Sequence, residues 1–75
     1  SFKQSNKFLL SERETEVLEL LANGNSAKLI ASKLRISITT VISHCECMKK
    51  KLGAKNSPEL INKAWKLGLL TNSNS

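Results

Sequence analysis

Four stretches of the chain repeat apolar residues at helical spacing, and short polar breaks divide them. In the first, Val17, Leu18 and Leu21 share one face, with Glu16 and Glu19 opposite. Ser11 can cap this stretch while Glu14, three residues on, bonds back to it, a capping box. Glu12 and Glu14 suit the positive end of the helix dipole. Asn23-Gly24-Asn25 ends the stretch, which predicts a helix over 12–22. Ser26 can cap a second, shorter helix over 27–34. Its Ala27, Ile30, Ala31 and Leu34 repeat at i, i+3, i+4, i+7, with Lys28, Ser32 and Lys33 pointing away.

Arg35-Ile36-Ser37 is a brief interruption, with Ile36 as an apolar plug and Ser37 as a fresh cap. A third helix is predicted over 38–52. Val41, His44, Cys45, Met48 and Leu52 form one stripe of it; Ile42, Ser43, Glu46, Lys49 and Lys50 form the other side. Gly53 fits a C-terminal cap. Ser57-Pro58-Glu59 opens a fourth helix over 58–67, with Pro58 at the tolerated first position. Its apolar side is Leu60, Ile61, Ala64 and Trp65, widened by Leu67. Gly68 ends it, and Leu69-Leu70 can fold back on the core. No segment alternates as a strand does. The expectation is an all-α, four-helix domain over 9–70, with a linker or tail at 1–8 and a frayed polar tail at 71–75.

Composition narrows the function. At 75 residues the chain is one small domain burying about three-fifths of its unfolded surface, too little to wall in a cofactor, and none is expected. Phe2, Phe8 and Trp65 are the only aromatics, so Leu, Ile and Val must fill the core. The net charge of +6 favours a polyanionic partner, nucleic acid before anionic lipid. That charge is segregated. Glu12, Glu14, Glu16 and Glu19 gather near the start, a solvated surface by default. Between Asn25 and Asn56 stand Lys28, Lys33, Arg35, Lys49, Lys50, Lys51 and Lys55 against Glu46 alone.

Cys45 and Cys47 are too few and too close for a disulfide framework. Two residues apart on a helix they point to nearly opposite sides, and with His44 they lack a fourth ligand, so no metal is expected. Cys45 reads as a core hydrophobe, Cys47 as an oxidisable thiol, and His44 as a structural histidine. No nucleophile has an evident base and orienter, and no Gly-rich phosphate loop occurs, so the chain is not expected to be an enzyme. No apolar run approaches the ~20 residues of a membrane span. An acidic polar face on the first helix also argues against membrane-surface binding. With no signal-peptide pattern the chain reads as cytoplasmic, and, beginning without Met, as a processed or excised piece of something longer.

The second and third helices, joined tightly within the basic segment, have the arrangement of a helix-turn-helix. In that motif the first helix braces on the DNA backbone and the second enters the major groove. Ala31 is small where the pair would cross, and Ile36 and Val41 would wedge it at a fixed angle. Any helical bundle has short turns, so periodicity leaves the motif and a plain bundle both open.

The residues themselves go further. The run from Leu10 to Gly24 (LSERETEVLELLANG) resembles the opening signature of the LuxR/FixJ/NarL type of DNA-binding domain. Ser26–Ala31, Leu34–Ser37, Thr40–His44, Lys51–Ala54 and Ala64 with Gly68-Leu69-Leu70 resemble its later motifs, in order and at matching spacing over about 9–70. The resemblance implies a bacterial transcription regulator that binds double-stranded DNA as a dimer. It also implies a seam on the fourth helix, where Trp65 and Leu67 would lie unless both complete the core. The domain would stand behind an upstream receiver, as in a response regulator, or behind a ligand-sensing domain, with RNA polymerase a further candidate partner and no membrane.

The chain departs from the family pattern at four positions. Ile42 stands where Lys is frequent, Glu46 where a polar or basic residue is frequent, Leu29 where Glu is frequent, and Ser57 where Arg is common. Ile42 is a candidate base contact through a thymine methyl, and Ser43 a further candidate DNA-binding residue. Glu46 can accept from cytosine, repel phosphate, or pair with Lys49 or Lys50. Lys28, Thr39, Thr40, Lys49 and Lys50 are candidate phosphate contacts, whereas Lys51 lies nearer the core with its charge outward. The alternative reading is a protein-interaction module that kept the fold and lost DNA contact, motivated by Leu29, Ile42 and Glu46.

Overall fold

The computed structural model describes residues 10–70, and the predicted flanking segments at 1–8 and 71–75 lie outside them. Four helices follow one another: α1 (Glu12–Ala22), α2 (Ala27–Leu34), α3 (Ile38–Leu52) and α4 (Ser57–Lys66). No strand occurs among the described residues. The first three helices begin and end where the apolar periodicity places them.

Each N-terminus is fixed by a side chain that accepts an otherwise orphaned backbone N–H. The α1 capping box is complete. The Glu14 N–H donates to Ser11 Oγ (3.1 Å), and the Ser11 N–H donates to Glu14 Oε1 (2.9 Å). Ser26 caps α2 and Ser37 caps α3, accepting from Leu29 and Thr40 respectively. The fourth helix starts one residue earlier than expected. Asn56 Oδ1 accepts from the Glu59 N–H (2.9 Å), so Asn56 is the cap, Ser57 the first helical residue and Pro58 the second. Proline is tolerated there for the reason it is tolerated at the first position: an amide in the opening turn has no intrahelical partner to lose.

The α3 helix runs through the middle and packs against each of the other three. Val41, Met48 and Leu52 face inward from it, meeting Val17 and Leu18 of α1, Ile30 and Ala31 of α2, and Leu60 and Ala64 of α4 within one core. Leu10 seals that core before α1. Leu70 seals it after Gly68, whose positive φ turns the chain back. Burying a Leu, Ile, Val or Met side chain stabilises by about 1.5–3 kcal/mol, so these few aliphatic contacts carry most of the fold. Leu34, Ile36, Cys45 and Ile61 pack partly against the same cluster.

Two expectations from sequence do not hold. The acidic residues of α1 are not all solvated: Glu14 is only 5% exposed. Nor is the Lys51 charge free: the side chain is exposed, but its Nζ donates to Glu14 Oε1 at 2.8 Å and ties α3 to the first turn of α1. One carboxylate thus closes the capping box and binds a second helix. Burial pushes the Glu14 carboxyl up. The hydrogen bonds from Lys51 and from the Ser11 backbone, with the Lys51 and His44 charges, outweigh burial and hold it below the ordinary glutamate value.

A carboxyl whose pKa is depressed on folding stabilises above its unfolded pKa, and that stability is lost as pH falls through the folded value. Glu14→Gln keeps the side-chain volume but removes the charge. With the Lys51 end partly solvated, it is expected to cost about 1 kcal/mol at neutral pH. Urea titrations of both proteins from pH 7 to below pH 4 test this: the gap between them should close as the pH falls.

Candidate nucleic-acid interface

The α2–turn–α3 unit is built by its backbone as much as by its side chains. After Leu34 the chain enters the left-handed region at Arg35 (φ 59°, ψ 46°), the one non-glycine residue with positive φ among those described. The Arg35 N–H donates to Ser32 O (3.3 Å) and the Ile36 N–H to Ala31 O (3.0 Å), closing α2. Ser37 then starts α3 directly. Its Oγ accepts from the Thr40 N–H (3.0 Å) and lies 2.8 Å from Thr40 Oγ1. Ala31 and Val41 are buried and Ile36 is half-buried, as the predicted wedge between the two helices requires.

This packing holds one side of α3 clear of the fold. Ile38, Thr39, Ile42, Ser43, Glu46 and Lys50 are all exposed, while Val41 and Met48 on the opposite side are sealed. Lys28 is exposed in the first turn of α2. The first turns of α2 and α3 hold no acidic residue, whereas those of α1 and α4 do. The positive ends of the α2 and α3 dipoles are therefore uncompensated by the chain's own charges.

Not every candidate is equally free. Thr40 is half-buried and shares its hydroxyl with Ser37. The Lys49 Nζ pairs with Glu46 Oε2 at 3.1 Å, so the ammonium is held along α3 and Glu46 has a partner within its own helix. Of the three uses open to Glu46 from sequence, the ion pair with Lys49 is the one present in the free protein. With Glu46 exposed, the pair contributes little to stability, but it lowers the positive charge at that part of the surface.

Trp65 and Leu67 do not complete the core: they are 46% and 50% exposed. The apolar side predicted for α4 is thus narrower than expected, with Leu60 and Ala64 buried, Ile61 half-buried and Trp65 outside. Sequence reasoning also passed over Ile38, which is exposed one turn before Ile42. Its spacing from Ile42 and its place just after the cap were the available signals. Leu29 is exposed on α2.

The family model for bacterial regulatory proteins of the luxR family, GerE, matches residues 9–64. The chain belongs to the LuxR family. As a LuxR-family chain it is a DNA-binding helix-turn-helix domain of transcription regulators, not an enzyme. The oxygen regulatory protein NreC of Staphylococcus aureus (strain JH9) is 47% identical over 62 residues, which are 83% of this chain and 29% of NreC. The chain therefore spans under a third of that curated relative. The solved transcription factor GerE superposes with a TM-score of 0.81 at 36% identity, covering 84% of this chain and 94% of GerE. A VqmA dimer of Vibrio cholerae, solved in the absence of its target DNA, superposes with a TM-score of 0.78 at 34% identity over 87% of this chain and 30% of VqmA. No helix among the described residues is long and apolar enough to cross a membrane.

Two α3 thiols probe this LuxR-family surface. Cys47 is exposed, whereas Cys45 is half-buried. Burial, and to a lesser degree the Glu46 charge, push the Cys45 thiol up against the opposing pull of Lys49. Alkylation of the native chain with iodoacetamide at pH 8, followed by peptide mass spectrometry, should modify Cys47 well before Cys45, with the difference abolished in denaturant.

Proposed function

We propose that this domain recognises specific double-stranded DNA sequences, with α3 in the major groove and two copies on a roughly two-fold symmetric site. The observation that carries this reading is the exposed side of α3, presented by a buried stripe on the same helix beside a basic surface. Ile42 and Ser43 are the candidate base contacts, and Glu46, paired with Lys49, tempers the positive charge beside them. Lys28, Thr39, Thr40, Lys49 and Lys50 are the candidate phosphate contacts, and the acid-free first turns of α2 and α3 add backbone donors to theirs. The domain, over residues 9–70, serves as the output part of a longer regulator. The greater length of NreC and VqmA, each with a matching segment of similar size, supports that arrangement.

Dimerisation runs through α4. Trp65 and Leu67 are large apolar side chains left outside the core, and a buried Trp is a frequent anchor at interfaces. A second reading, a domain that docks a partner protein instead of DNA, is favoured by the exposed Leu29, Ile38 and Ile42. A mobility-shift titration with genomic DNA across a salt series decides between them. Affinity should fall steeply with salt, because each phosphate neutralised releases condensed counterion. A confirmed dimer that fails to shift DNA even at low salt would overturn the DNA reading.

Glu46→Ala frees Lys49 and should tighten binding to all duplexes and steepen the salt slope by about one contact. Relaxed preference at a single base pair, measured on a panel of site variants, would instead assign Glu46 to cytosine. Trp65→Ala should weaken self-association by about thirtyfold or more in sedimentation equilibrium, since anchor residues contribute about 2 kcal/mol or more, while leaving the circular dichroism spectrum intact.

A further inference from the structure

The exposed side of α3 carries an unusual set of side chains for reading bases. The strongest sequence readers are bidentate: Arg or Lys on guanine, Asn or Gln on adenine. Residues 38–52 contain no Arg, Asn or Gln, and all three lysines sit in the last turn. In a helix-turn-helix it is the N-terminal part of the second helix that meets base edges. That part of α3 offers Ile38 and Ile42, 44% and 49% exposed, along with the short hydroxyls of Thr39 and Ser43. Ile38 and Ile42 stand four residues apart, on one face of the helix, with Cβ atoms about 5–6 Å from each other. Along a duplex rising about 3.4 Å per base pair, that spacing reaches base pairs one or two steps apart.

The core cluster includes neither isoleucine. Each leaves apolar surface in water at a position where the core does not need it. In the major groove the one apolar feature on a base edge is the C5-methyl of thymine. We infer that this domain selects its DNA chiefly through thymine methyl groups, with Ile38 and Ile42 each covering one. The half-site it prefers contains two nearby thymines whose methyls both face α3. This rests on the DNA-binding reading given above and names what that surface reads. Ser43 adds little discrimination of its own, since a hydroxyl is accepted by several base edges, and Thr39 is assigned to phosphate.

The consequence is specific to methyl groups, so a substitution on the DNA tests it with the protein unchanged. Duplexes selected by the chain from a random pool are resynthesised with uracil in place of thymine, which removes the methyl and keeps the pairing and all polar groups. Binding is then measured by fluorescence anisotropy. Removing one contacted methyl should weaken binding about fourfold, and removing both in a half-site about fifteenfold. Scanning single uracils should locate the two sensitive positions. Ile42→Ala should lose sensitivity at one of them and keep it at the other, and Ile38→Ala the reverse. Both side chains are exposed, so both variants fold.

Tight binding of selected DNA that is indifferent to uracil throughout would overturn the inference and leave the DNA-binding reading standing. Recovery of no DNA from the pool by a confirmed dimer would overturn both.

Discussion

One helix has to be buried and exposed at the same time, and the rest of the domain follows from that requirement. The α3 helix is touched by every other helix, yet the side bearing Thr39, Ile42, Ser43 and Lys50 stays free. A fifteen-residue helix would not hold its shape in water from its own propensities. Its stability comes from the inner stripe, Val41, Met48 and Leu52, against α1, α2 and α4. The outer side can therefore be chosen for contact with something else, because it is not asked to hold the fold together.

Polar interactions sharpen what the apolar stripe begins. Val41 and Met48 fix how deep α3 sits, but non-directional contacts leave it some freedom to rotate. The Lys51–Glu14 bridge pins the C-terminal half of α3 to the start of α1, while Ser37 with Thr40 closes the first turn of α3 itself. Because Glu14 also completes the α1 cap, the acidic opening of the chain has a constructive part in orienting the basic surface.

Much of this was legible in the sequence for identifiable reasons. Caps at Ser11, Ser26 and Ser37, and apolar repeats at helical spacing, set helix boundaries locally, and local signals survive folding. The family resemblance was legible because its motifs are dense and ordered over most of the chain. Long-range pairing was not. Nothing within a few residues of Glu14 announces Lys51, and an acidic helix start reads as a solvated surface until the partner helix is known to lie beside it. Trp65 misled for a related reason: periodicity says which side of α4 is apolar, but not how far the neighbouring helices extend to cover it. Of the outward side, Ile42 and Glu46 were visible as departures from the family pattern. Ile38, at the boundary between turn and helix, departs from no motif and shows only its four-residue spacing from Ile42.

The left-handed residue between α2 and α3 has its own mechanical consequence. Glycine would occupy that conformation at least cost, whereas a residue with a Cβ is disfavoured there by roughly 1–2 kcal/mol. With Arg35 in that place, the joint has fewer neighbouring conformations to wander into than a glycine joint would have. The joint between α2 and α3 is therefore stiffer than a glycine joint would be, and more of any adjustment to a surface of imperfect shape falls to that surface.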